Sequence, residues 1–354
     1  MALDTDVLHD IVTQEAPVPD LDLSWMDGGS EWGIHAKPGK RGLTLDEVNI
    51  GSYGRVPPYS DTQDARLRGA AVRPGVPHTG YQIREAATVW SQNATMLYEE
   101  AVQRQWSSAT DIPWQDIAPL PDNIEHAMCQ LCTFLTEVEF IAGDTPSQWL
   151  PKISNEHFET KLFLATQIMD EARHLDVFRK RALVNGGGLL KSSPATNLRT
   201  IINARDFTEM SSIMHVQAEG FIQSMFRMGE LVANNAVEKR MFRMCAQDES
   251  RHLGFGVMHL KYVLETQPER REEIHGYFDE AERTEPGHGT FGQSVAEALT
   301  ILLGNGDMDE GSDKFLALQK RQANEYMHRL TVAGLGERRD RMDPNLRRLL
   351  DPAA

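Results

Sequence analysis

Two short runs, Asp-Glu-Ala-Arg-His at positions 170–174 and Asp-Glu-Ser-Arg-His at 248–252, carry the residue types that bind metals. In each, a Glu and a His stand three residues apart, Glu171 with His174 and Glu249 with His252, so on a helix each pair shares one face a turn apart. Each face offers a carboxylate and an imidazole, half of a metal's ligands. The runs lie 78 residues apart, and each has a Glu about thirty residues upstream within an earlier helical segment. Four helices would thus bring together four carboxylates and two imidazoles, the donor set of a dinuclear centre in a helical bundle.

The rest of the chain must be able to enclose such a centre. At 354 residues, with 40% hydrophobic and 25% charged content, it can bury a large helical core. A formal net charge of -16 and a pI near 5.2 argue against nucleic-acid binding, which needs a basic stripe. No run approaches eighteen apolar residues and positions 1–10 lack a basic segment leading into an apolar one, so no membrane association is expected and the chain reads as cytoplasmic. Its three cysteines cannot form a disulfide framework; Cys129 and Cys132 sit in a helical stretch and read as small buried apolar residues.

The pattern predicts an all-α fold. Residues 1–83 read as an extended arm: seven prolines and ten glycines fall between Pro17 and Gly80, yet Trp25, Trp32, Tyr53 and Tyr59 are interleaved, so the arm should lie over the bundle or over a partner subunit. A bundle is expected over 84–285. Its first helix starts near Arg84 and carries Val89, Trp90, Leu97 and Trp106 up to Pro113, with Glu99 and Glu100 read as a solvated pair. The second runs from Pro121 until Gly143, Asp144 and Pro146 end it; the third from an N-cap at Ser154 to Gly186-Gly187-Gly188. The fourth and fifth, about 204–233 and 237–265, are joined by a break at Asn234-Asn235 short enough to force an antiparallel hairpin. Glu219 and Glu249 lie nearly equidistant from that break and so at the same height. On the second helix Glu139 is preferred, because its interval of 32 residues to Glu171 nearly matches the 30 between Glu219 and Glu249, and because it shares a face with Leu135, Ala142 and Gly143, whereas Glu137 would put Phe140 and Ile141 beside the metals; Glu137 is the alternative. Residues 286–354 read as C-terminal packing helices and a charged tail.

The two D-E-x-R-H runs, Glu139 in Val-Glu-Phe-Ile-Ala, Glu219 in Ala-Glu-Gly-Phe-Ile and the order of helices resemble the ferritin-like di-iron carboxylate superfamily, chiefly its branches like the ribonucleotide reductase small subunit and the bacterial multicomponent monooxygenases. The resemblance covers about residues 85–265. It implies a ferritin-like four-helix bundle in which Glu139, Glu171 and His174 hold one metal and Glu219, Glu249 and His252 the other, with Glu171 and Glu249 bridging. It further implies that Asp170 and Asp248 each accept a hydrogen bond from the imidazole of the opposite pair, and that Arg173 and Arg251 neutralise them. Without metal, such a bundle would bury charge that needs a partner.

The chemistry implied is an O2-activating di-iron oxygenase or oxidase acting on a small organic substrate, with two iron ions or manganese with iron, O2 as co-substrate, an electron donor such as a ferredoxin or flavin reductase, and a homodimeric state. The alternatives are a reductase-like radical subunit and, as a non-enzyme, a ferritin-like iron-binding protein. A radical subunit is disfavoured because Phe178 stands where its Tyr is usual, and an arylamine N-oxygenase because Cys245 stands where its extra His is usual. Positions a turn from the ligands, Gly143, Gln167, Phe178, His215 and Gln223, should surround the metals. Gln167 and Gln223 are candidates to orient a small polar substrate, and His215 is weighed as a seventh ligand against a hydrogen-bonded core histidine.

Overall fold

The computed structural model describes residue 13 and residues 21–27, 31–193, 196–283 and 292–351. The start of the arm, the boundary expected at 285–286 and the last three tail residues lie outside the described residues. The fold is all-α; among the described residues extended pairing is limited to isolated bridges such as Tyr59 with Glu85 and Ile83 with Ile153.

Helix α1 spans Ala94–Gln103, α2 Asp122–Ser147, α3 Phe158–Val184 and the short α4 Thr196–Ile202. A long fourth rod follows in three continuous parts: α5 Phe207–Ser211, a π-helical segment Ser212–Ala218, and α6 Glu219–Val232. Then come α7 Ala236–Thr266, α8 Arg271–Ala281, α9 Gln293–Leu303 and α10 Met308–Ala333. Two antiparallel hairpins, α2 with α3 and α6 with α7, make the bundle. The second turns where expected: Asn235 caps α7 by accepting a bond from the Glu238 amide at 2.9 Å.

Four boundaries differ from the sequence pattern. The expected first helix breaks between Val89 and Ala94, because its backbone and polar side chains bond to other helices. Trp90 O accepts from His259 Nδ1 at 2.9 Å, Val89 O accepts from Thr160 Oγ1 at 3.2 Å, and Asn93 Nδ2 donates to Gly254 O at 3.0 Å. Helix α2 runs through Gly143 and Pro146 to Ser147; Thr145 and Pro146 are buried there, so packing outweighs the breakers. Ser154 caps a 3-10 turn, Asn155–His157, that leads into α3 rather than α3 itself. The fourth rod begins at Phe207, capped by Asp206, not at 204.

The arm residues packed on the chain grip the start of α3. The buried Arg68 pairs with Glu159 and donates to Tyr53 O at 2.7 Å, and Ser60 and Ser154 share a hydrogen bond of 2.7 Å. Trp25 and Trp32, by contrast, are exposed. Helices α9 and α10 contribute Leu299, Leu302, Leu318, Tyr326 and Leu330 to the same apolar core as the bundle's Leu131, Phe178, Phe226 and Val237, so one core runs through both regions.

Candidate metal centre

Each of the four rods delivers one part of the site. Helix α2 brings Glu139, α3 brings Glu171 and His174, α6 brings Glu219 in its first turn, and α7 brings Glu249 and His252. All six side chains are buried. Glu139, Glu171, His174 and Glu249 form one cluster and Glu171, Glu219, Glu249 and His252 another, each with its ligand atoms within 4.8 Å of one another. Glu171 and Glu249 belong to both. His174 Nδ1 lies 3.1 Å from an oxygen of Glu171 and 3.1 Å from one of Glu249, and His252 Nδ1 lies 3.0 Å from Glu171 and 3.1 Å from Glu219. Glu137 is outside: half-buried, it accepts from the backbone and hydroxyl of Ser193 at 3.0 and 2.7 Å.

The far nitrogens cross between the motifs. His174 Nε2 reaches Asp248 Oδ2 at 3.2 Å, and His252 Nε2 reaches Asp170 Oδ2 at 3.3 Å. An aspartate fully bonded by arginines can only accept, so each Nε2 carries a proton and leaves Nδ1 as the nitrogen that would turn a lone pair toward a metal once its own proton is displaced. Arg251 bonds Asp170 at 2.7 Å and Asp248 at 2.5 Å, and Arg173 bonds both as well, closing a neutral ring of two aspartates and two arginines between α3 and α7. The sequence reading missed one member: Trp106, beyond the end of α1, donates its indole N–H to Asp248 Oδ2 at 2.7 Å and lies under Arg173. The only signal for it was that a buried indole N–H needs an acceptor.

Whether the site fits metal ions is tested by what its donors lack. Glu139 Oε1, Glu171 Oε1 and Glu219 Oε2 are buried without a hydrogen bond, a costly state that a cation relieves. Burial pushes the Glu139 and Glu219 carboxyls well above the usual carboxylate range. Burial acts the same way on Glu171, but the His252 and His174 imidazoles overcome it and hold Glu171 below that range. His174 and His252 are raised well above their ordinary value; burial opposes this, and the surrounding carboxylates outweigh it. Metal-free, the cluster therefore gathers protons, the positive charge that two divalent ions would replace. Four carboxylates and two imidazoles suit iron or manganese.

The residues expected around the ions divide. Gln167 donates to Glu219 Oε1 at 3.0 Å and its carbonyl faces His215 Nε2 at 3.0 Å, so both ends of the amide have protein partners. His215, on the π-helical segment, also contacts Ser211 Oγ at 2.9 Å, and burial together with nearby His252 and His259 holds it well below its ordinary value, hence neutral. Both its nitrogens are used within the protein. Gln223 donates to Ser250 Oγ at 2.6 Å. Phe178 packs against Phe226 and Phe242, with ring centroids at 5.3 and 6.3 Å. Gly143 passes close to the centre, a Cβ there lying 3.5 Å from Glu171 Cβ. Open space lies on another side. A small opening of about 30 Å3 beside Glu139, Glu219 and Glu249 is lined by apolar groups that include Val138, Ile141, Leu198, Ile201, Met214 and Ile222. Those positions were not legible because α4 and the π-helical segment meet there only in the folded chain.

No family model and no curated protein matches this chain. Among solved structures it is similar to an R2-like ligand-binding oxidase with an aerobically reconstituted Mn/Fe cofactor, at 18% identity over 69% of this chain and 93% of that one, with a TM-score of 0.53. A variant of an R2-like ligand-binding oxidase with an aerobically reconstituted Fe/Fe cofactor is similar at 17% identity, 69% and 94% coverage and the same TM-score of 0.53. At such identity the likeness establishes the fold. The chain has the helical fold of those R2-like oxidases.

Proposed function

We propose that this chain is an O2-dependent oxidase or oxygenase that uses two metal ions, iron in both positions or manganese with iron, on a small organic substrate. Glu139, Glu171 and His174 would hold one ion and Glu219, Glu249 and His252 the other, with Glu171 and Glu249 within reach of both. One observation carries the reading: the two buried clusters share those two glutamates. When bound, two such ions would supply electrons for the reduction of O2. The protein does the rest. Asp170 and Asp248 keep the imidazole protons on Nε2, and the arginine ring neutralises those aspartates. The apolar lining beside Glu139, Glu219 and Glu249 suits a substrate that presents hydrocarbon to the ions. The R2-like oxidases with Mn/Fe and Fe/Fe cofactors support the choice of metals.

A ferredoxin or flavin reductase as electron donor, a homodimer and a cytoplasmic setting belong to this reading; no helix among the described residues is long and apolar enough to cross a membrane. A reductase-like radical role lacks its phenol at Phe178. The test is to load the metal-free protein anaerobically with ferrous iron, count the ions, then mix with O2 and candidate substrates. Two ions per chain and O2 consumption accelerated by one substrate are expected. Many ions per chain would make it an iron store, and none would end the reading.

A further inference from the structure

The two halves of the centre are near repeats in sequence, but not in how their outer carboxylates are held. Glu139 receives no hydrogen bond from outside the cluster among the described residues, and its Oε1 is unbonded. Glu219 is tethered: Gln167 donates to its Oε1, leaving Oε2 free beside His252 Nδ1 at 3.1 Å. The position matching Gln167 in the other half, four residues before Glu249, is Cys245.

The direction of every bond in the tether follows from one fact. A ligand carboxylate only accepts, so the Gln167 NH2 must face Glu219 and its carbonyl must face His215. His215 then carries its proton on Nε2, and Nδ1 accepts from the Ser211 hydroxyl. Ser211, His215 and Gln167 are all buried, so no water competes for these bonds. Two backbone features seat the imidazole. The π-helical segment carries it, and α7 passes so closely at Gly256 that a Cβ there would lie 2.3 Å from His215 Cβ.

We propose that His215 and Gln167 are positioning residues that lock Glu219 into presenting a single oxygen to its metal, making the two metal positions unequal: the Glu219 side is rigid and Glu139 is the carboxylate free to reorient. This rests on the dinuclear reading above. The role gives the buried His215 a purpose other than a seventh ligand, and gives Gln167 one other than contact with substrate.

The test uses the full-length metal-free protein, titrated anaerobically with Co(II) and followed by its ligand-field absorption. The wild type is expected to bind two ions in separable steps, and Glu219→Ala identifies which step belongs to Glu219. His215→Phe should weaken that step about tenfold or more and leave the other unchanged. His215→Gln, which keeps an N–H for Gln167, should restore it. Gln167→Glu, which sets an oxygen against Glu219, should weaken the same step at least as much, and this variant carries the test if His215→Phe fails to fold. Wild-type binding in His215→Phe or Gln167→Glu, an equal loss at both steps, or a His215→Gln variant as impaired as His215→Phe would overturn the proposal. A wild-type protein that binds no Co(II) would instead sink the dinuclear reading.

Discussion

A carboxylate shared by two ions has no neighbour that can replace it. Glu171→Ala and Glu249→Ala are therefore expected to abolish binding of both ions, and with it the rise in melting temperature that metal gives the wild type, since a ligand bound only to the native state stabilises it. Metal content and melting curves check this. Glu139→Ala should remove one ion, whereas Glu137→Ala should keep both and cost about 1 kcal/mol, because it only frees the Ser193 amide and hydroxyl. At this scale the six residues that cluster were legible because period and spacing bring Glu and His to one face, and matched intervals separated Glu139 from Glu137. Trp106 was not, since its partner Asp248 lies 142 residues away and periodicity reads an indole only as apolar.

Helices register where their neighbours allow. Gly256→Ala would ordinarily gain about 1 kcal/mol of helix propensity, but here the new Cβ meets His215 Cβ at 2.3 Å, and the forced shift should outweigh the gain for a net loss of about 1–3 kcal/mol in denaturant unfolding. His259 joins α7 to α5 through Thr208 and to the break before α1 through Trp90 O. Burial holds its pKa down at about 4, below the ordinary 6.5. The unfolded chain thus takes up this proton first: the stability due to a neutral His259 is complete above about pH 6.5 and is lost as pH falls toward 4, by about 3 kcal/mol. In His259→Gln, unfolding free energy measured across that window should fall less steeply. The α6–α7 hairpin was readable from Asn234-Asn235, a local signal; the break at Trp90–Asn93 was not, because its hydrogen-bond partners come from helices distant in sequence.

Across the whole molecule the C-terminal helices are tied to the bundle through buried charge as well as a common core. Glu282 accepts from Tyr326 at 2.8 Å, from Arg338 at 3.0 Å and from the Asp343 backbone at 2.9 Å. Glu282→Ala leaves the buried Arg338 only the half-exposed Asp279 as a charged partner, at 2.7 Å, and frees the Tyr326 hydroxyl, and should destabilise the protein by about 2–3 kcal/mol, with limited proteolysis cutting first near residues 334–343. A milder, uniform loss without local cleavage would argue against that tie. Composition marked the N-terminal residues as an arm, and their grip on α3 through Arg68 and Glu159 was invisible in it, since nothing in a sequence says which of many charges will be paired.

The crossed pairing of the two motifs also bears on how the protein is made. A chain leaves the ribosome N-terminus first, so the first Asp-Glu-Ala-Arg-His run is exposed 78 residues before its counterpart appears. His174 is braced by Asp248 and His252 by Asp170, and both clusters need Glu249. No half-site is complete until the second hairpin has emerged and docked, and the nascent chain cannot trap a stray cation in a finished pocket before that moment.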